Sequence, residues 1–175
     1  MNGIVFLGSE NDEFIKQVYD KINNIVKCSL ICDSQVDLDE ENKFCVISMK
    51  KLGKIKCKKL ILIITKNFET MMPCINADIS AAVIFSQNQC EIKFLKDFNI
   101  NTISCGMSTK DTVTFSSNDS ISKVICLQRE IYDINGNTID PFDYPVKNLN
   151  LSDKMLWTIF IILLLCGYSP KNLVL

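Results

Sequence analysis

From Met155 to Cys166 the chain carries no charged side chain, in the run Met-Leu-Trp-Thr-Ile-Phe-Ile-Ile-Leu-Leu-Leu-Cys. Ser152 is a good N-cap residue ahead of it, Asp153 is an acid in its first turn, and Gly167 stands where a helix C-terminus favours a left-handed residue. A helix apolar on every side must be covered on every side, by protein or by lipid. The uncharged run as far as Tyr168 makes about 21 Å of helix at roughly 1.5 Å per residue, whereas a bilayer core of about 30 Å needs roughly 20 residues. No cluster of Lys or Arg flanks the run, as a surface anchor prefers. The stretch reads as a buried core helix, with a membrane-associated adaptor held by Trp157 to Leu165 as the alternative.

A chain of 175 residues suggests one domain, 1–175, with room for a substantial core. Its formal net charge is −1, and Arg129 is its one arginine. Nucleic-acid binders carry a basic surplus and use Arg for bidentate contacts, so no nucleic acid is expected as a partner. The chain has no histidine. This excludes His-based triads, HExxH zinc sites and histidine general bases, and leaves Lys, Asp, Glu, Cys, Ser or Tyr to carry any chemistry. Met1 to Asp12 lacks the basic n-region of a signal peptide, which points to the cytoplasm.

The 9 cysteines form no CxxC pair. Cys45, Cys126 and Cys166 stand among apolar neighbours, as small buried hydrophobes do. A metal site would have to join Cys28 and Cys32 to distant residues such as Cys57 or Cys90; no metal and no cofactor is assigned.

Gly3 to Leu7 is a short apolar run that ends at Gly8 and Ser9. After it, Phe14, Ile15, Val18, Tyr19, Ile22, Ile25 and Val26 recur at helical offsets. Strand, glycine turn and helix open a βαβ unit, and Cys28 to Cys32 is its next strand. A helix N-terminus at such a turn can hold phosphate, but Gly8 to Glu13 matches neither GxxxxGK[ST] nor GxGxxG. Glu10, Asp12 and Glu13 suit the helix dipole and repel an anion. A capped surface helix is the expectation there, with a cation-assisted site at these acids as the alternative.

Asp33 to Lys43 reads as an exposed acidic loop. Phe44 to Met49 is a strand. The lysines between Lys50 and Lys59, with Gly53 in a turn, suggest a solvated edge or hairpin tip. Leu60 to Thr65 is a continuous apolar strand of the kind buried on both faces, followed by a loop or short helix over Lys66 to Asn76. Ser80 to Phe85 is a second buried strand, Gln87 to Phe98 a short helix, and Asn101 to Cys105 a further strand. The alternation predicts an α/β fold with a mostly parallel, Rossmann-like sheet and flanking helices. From Thr112 the pattern turns antiparallel. Thr112 to Ser116 and Lys123 to Tyr132 are strand-like, and Asp133 to Asn137 is a hairpin turn through Asn135-Gly136. Thr138 to Val146 returns as an edge strand that tolerates Pro141 and Pro145.

In order and spacing these pieces resemble the central domain of the Mur ligases, ATP-dependent enzymes that extend the peptidoglycan precursor, and their folylpolyglutamate synthetase relatives. Ala82 to Gln89 is similar to the family's strand and Asn-Ala-Asp-Asp turn. Asn101 to Ser117 is similar to its "thr-tyr-gly" strand and the β-segment behind it. Ile161 to Leu173 is similar to its alanine-rich helix ending in Leu-Gly-Ile-Ser-Pro. The resemblance spans roughly Leu60 to Leu173.

The departures bear on function. Where the resemblance implies an ATP loop with Gly-Lys-Thr, the chain has the acidic Gly8 to Glu13 turn. Where it implies Thr-Asn and then an Asp-His pair, the chain has Thr65 to Glu69 without histidine. The family's His-Asn pair and next Asn fall on Leu151, Ser152 and Met155, and 175 residues leave no room for the substrate-binding and C-terminal regions.

The resemblance therefore implies a shortened relative that kept the frame and lost the chemistry: a non-catalytic domain that binds a protein partner or a cell-wall precursor, with no catalytic residue assigned. The alternative from a different class is an enzyme or small-ligand-binding protein that uses the carboxyl ends of the parallel strands. Its candidate residues are Gly8, Ser9, Thr65, Lys66, Asn67, Ser86 and Asn88, each of which also reads as a loop or cap residue.

Overall fold

The computed structural model describes residues 1–8, 10–51, 55–65, 75–85, 95–96, 99–119, 122–146 and 150–168. It forms two compact units, Met1–Thr102 and Ile103–Leu175.

In the first unit, strand β1 (Asn2–Leu7) leads into helix α1 (Asp12–Val26), and β2 (Cys28–Cys32) follows directly. Then come β3 (Gln35–Asp37), β4 (Phe44–Met49), β5 (Ile55–Ile64) and β6 (Ile75–Ile84), while β7 (Thr102–Ser104) straddles the boundary between the units. The sheet order is β3-β2-β4-β1-β5-β6-β7. The pairs β2–β4, β4–β1, β1–β5 and β5–β6 are parallel, and β3 is antiparallel to β2. This is the mostly parallel, Rossmann-like α/β sheet that the alternating pattern predicts.

The register lays two apolar rows across the sheet, one on each face. Leu30, Val46, Ile4, Ile61 and Ala81 stand side by side, and every one is fully buried. α1 lies on this side: its Ile15, Val18, Tyr19, Ile22 and Val26 are buried, and Phe14 meets Phe6 edge-on at 6.4 Å. On the opposite face Val5, Leu62 and Ala82 form a core with Leu7, Leu60, Ile64, Ile84 and Leu95. The same row continues outward through Ile47 and Ile31 to Val36, where burial gives out.

β6 starts at Ile75, ahead of the expected Ser80 and inside the stretch read as a loop or short helix, and two further segments differ from expectation. Asp33 to Lys43 is not all loop, because Gln35–Asp37 pairs with β2 as β3. Its polar composition hid a short strand whose exposed edge needs no apolar alternation. Ile55 to Lys59 is neither edge nor hairpin tip but the first half of β5, an interior strand. There buried Ile55 and half-buried Cys57 alternate with exposed Lys56 and Lys58. Residues 52–54, most of Lys66 to Asn76 and most of Gln87 to Phe98 lie outside the described residues.

The second unit is built on α2 (Asp153–Leu165) and an antiparallel sheet of β8 (Val113–Asn118), β9 (Lys123–Leu127) and β12 (Phe142–Val146), in the order β12-β9-β8. A separate pair, β10 (Ile131–Tyr132) and β11 (Thr138–Ile139), flanks the Asn135-Gly136 turn. The expected strands Lys123 to Tyr132 and Thr138 to Val146 are thus each broken in two. β12 is an edge strand of its sheet, as Pro145 within it requires.

Every residue of α2 from Met155 to Leu165 is buried, so it is the core helix that its composition predicts. Ser152 caps it by accepting the Met155 N–H, and at its other end the Gly167 and Tyr168 N–H groups bond the Leu164 and Leu163 carbonyls, with Gly167 at φ 85°. Phe115 lies against Trp157 at 5.0 Å between ring centroids, and Phe142 and Tyr144 flank Phe160 at 5.7 and 6.0 Å. Among the described residues no helix is long and apolar enough to cross a membrane.

Candidate site at the carboxyl ends of the parallel strands

The carboxyl ends of β1, β4 and β5 lie side by side, and two of the predicted candidates meet there. The Gly8 N–H donates to the Met49 carbonyl at 2.8 Å, prolonging the β1–β4 ladder by one residue. Gly8 has φ 124°, a conformation that residues with a Cβ rarely adopt, and this turns the chain away from the sheet toward α1. Thr65 is buried, and both its N–H and its hydroxyl donate to the Leu7 carbonyl, at 2.8 and 3.0 Å. The Thr65 hydroxyl proton is committed to the backbone, so Thr65 acts as a clamp between β1 and β5. Ser9, Lys66, Asn67, Ser86 and Asn88 lie outside the described residues.

Beside these strand ends stands the N-terminus of α1. Asn11 is its N-cap and accepts the Glu13 N–H at 3.0 Å. Asp12 accepts both the N–H and the hydroxyl of Ser34, at 3.1 and 2.7 Å, and so ties the helix start to the β2–β3 turn. Glu13 accepts from Gln17 one turn on, at 3.1 Å. A phosphate site needs free N–H groups and a positive field at this position. Here an Asn side chain satisfies a donor, and two carboxylates set the sign of the field.

Cys28, Cys32, Cys45, Cys57, Cys105 and Cys126 are free thiols, most of them buried. Burial pushes the Cys28 thiol up to about 12, with Cys45 and Asp37 adding to it. Burial likewise raises Cys45, Cys57 and Cys105. Cys126 is pushed up to about 11, by burial and then by its bond with Asp143. Thiols held protonated in this way are poor nucleophiles and poor metal ligands at neutral pH. Among the described residues no group of three or more His, Cys, Asp or Glu could hold a metal ion. Cys90, one of the possible partners of Cys28 and Cys32, lies outside them.

No family model matches the sequence, and no curated protein does. Among solved structures, that of a UDP-N-acetylmuramoyl-L-alanyl-D-glutamate–2,6-diaminopimelate ligase matches 100% of this chain and 47% of its own, with a TM-score of 0.58 and 8% sequence identity. This is a Mur-ligase-like fold. The likeness to the Mur ligase extends to the path of the chain and leaves its chemistry open, and the chain spans about half of the ligase's length.

Three polar arrangements were not legible as sites in the sequence: Asp12 with Ser34, Tyr19 with Asp37, and Asp133 with its own turn. The first two join residues far apart in the chain, and no local pattern announces them. The third carried a signal, the Asx-type spacing of Asp133-Ile-Asn-Gly-Asn137.

Proposed function

We propose that this chain is a non-catalytic Mur-ligase-like module that acts by binding, with a protein as its partner and a cell-wall precursor as the alternative. The observation that carries the reading is the β1–α1 turn. Where the sequence resemblance implies a Gly-Lys-Thr loop around ATP, Asn11 caps the helix and Asp12 is spent on Ser34. A nucleotide phosphate brought there meets carboxylates in place of a lysine and unpaired N–H groups. Thr65 points the same way, since its hydroxyl proton is given to Leu7 and not to the space beyond the strand ends.

The test is a thermal-shift and calorimetric titration of the purified protein with ATP and Mg²⁺, and separately with UDP-sugars. A ligand at about 100 times its dissociation constant adds about 2.7 kcal/mol, a shift that is easy to see. The module reading expects none from ATP. Saturable, magnesium-dependent ATP binding overturns it, and a shift with UDP-sugars alone selects the precursor over a protein partner.

A further inference from the structure

We propose that the outer edge of β3, with the uncovered apolar margin beside it, is the docking surface for an extended, basic segment of a partner protein, which adds to the sheet as a further strand. This rests on the reading of the chain as a binding module and names the chemistry of its partner.

The argument starts from the connection between β2 and β4. These parallel strands are joined by residues 33–43 alone, a stretch that holds β3 and no helix. Parallel crossovers usually run to a dozen residues or more and lay a helix on the sheet. Without one, no described element covers the face opposite α1 at this margin. In the row Val36, Ile31, Ile47, Val5, Leu62, Ala82, exposure falls from 64% at Val36 and 36% at Ile31 to zero at Val5. Leu38, two residues beyond Val36, is 63% exposed. The row on the α1 face has no such gap, since Leu30 is fully buried and Asp37 is held by Tyr19. β3 is the last strand of its sheet on this side, and among the described residues no strand lies beyond it.

Charge selects the occupant. Asp39, Glu40 and Glu41 are exposed around Val36 and Leu38, with Asp33, paired to Lys50 at 3.7 Å, and Asp37, held by Tyr19, beside them. A second copy pairing edge to edge about a two-fold axis would set these carboxylates against their own kind, the usual defence of an edge strand against self-association. A strand bearing Lys or Arg meets attraction at the same positions. The apolar margin offers three exposed side chains, well short of the roughly 800 Å² per partner of a standard interface. Main-chain pairing with β3 therefore has to supply the remainder, as in strand-addition complexes, with Val36 and Leu38 reading alternate residues of the guest.

The test uses an alternating lysine–valine hexapeptide and its glutamate–valine counterpart as probes, with binding followed by anisotropy and amide shifts. The lysine–valine peptide should bind saturably, weaken as salt rises, and move the amides of residues 31 and 35–38. Val36→Lys, at an exposed position, should weaken it about tenfold or more, and Glu40→Lys with Glu41→Lys should do the same through charge alone. Absence of saturable binding, equal binding of the two peptides, or insensitivity to both variants overturns the proposal. So does sedimentation showing a dimer that Val36→Lys dissolves, which would make a second copy the occupant. Failure here leaves the module reading standing, because that reading is decided by the ATP titration.

Discussion

The Tyr19 hydroxyl of α1 donates to the Asp37 carboxylate of β3 at 2.5 Å, fastening the helix to the outermost strand of the sheet. Asn23 extends the link, donating to the Tyr19 oxygen at 3.2 Å and accepting the Cys28 N–H at 2.9 Å. With Asp12 on Ser34 at the other end of the helix, the β2–β3 hairpin is held to α1 at two points.

Replacing Tyr19 by Phe keeps the packing and removes the donor, leaving the Asp37 oxygen without it. A loss of about 1–2 kcal/mol in urea unfolding is expected. Burial, and then the bond to Asp37, raise the Tyr19 pKa well above its ordinary 10.0. A folded pKa above the unfolded one gives stability that is complete below pH 10 and is lost as pH climbs toward the folded value. Wild type should lose this contribution above pH 10 and Tyr19→Phe should not; parallel pH profiles for the two proteins would contradict the assignment.

Asp133 organises the turn between β10 and β11. It accepts the Asn135 and Asn137 N–H groups at 2.8 Å and the Asn137 side-chain amide at 2.9 Å. Burial works to raise its pKa, but the bonds from Asn137 and Asn135 outweigh it and hold the carboxyl below its ordinary 3.8. Stability from Asp133 is therefore present above pH 3.8 and lost as pH falls through the lower folded value. Asp133→Ala should cost about 2 kcal/mol at neutral pH and lack this component of acid unfolding. Denaturant midpoints from pH 7 down to acid unfolding would show it.

At the strand ends, Gly8→Ala places a Cβ on a residue with φ 124° and should cost about 1–2 kcal/mol. Thr65→Val keeps the shape and removes one of two donors to Leu7, so about 1 kcal/mol is expected. Both bear on the Leu7–Gly8 backbone, and the double variant should depart from additivity. Strictly additive losses would show that the two residues act separately.

In the second unit, Phe160→Ala empties the space between Phe142 and Tyr144 and should cost about 3–5 kcal/mol. Ser152→Ala removes the α2 cap for about 1 kcal/mol. Thermal unfolding should rank them in that order. A Phe160→Ala loss no larger than that of the cap would mean that α2 is not packed as described.

The β1–α1–β2 opening, β4, the buried half of β5 and the bounds of α2 were legible because each is set by its own residues. Helical spacing over Phe14 to Val26, unbroken apolar runs, an Asn or Ser cap and a glycine stop act within a few positions. β3 was not legible, since Gln35-Val36-Asp37, with one apolar residue between two polar ones, forms a strand only when β2 is there to pair with it. The lysine-rich start of β5 misled for a related reason: charge on one side of a strand is tolerated wherever solvent reaches it. At the candidate site, Gly8 was legible as a turn glycine. The use of Thr65 as a clamp was not, because its partner Leu7 is distant in sequence.

The sequence by itself determined that the chain has an α/β core with an antiparallel second part, that its last helix must be enclosed, and that histidine chemistry and a phosphate loop are absent from it. These are matters of composition and short-range pattern. Only the tertiary structure decided the strand order, and with it which apolar row is covered and which ends bare at Val36. Hydrogen bonding between strands and the short β2–β4 connection fix that outcome, and neither is written in any single stretch of the chain.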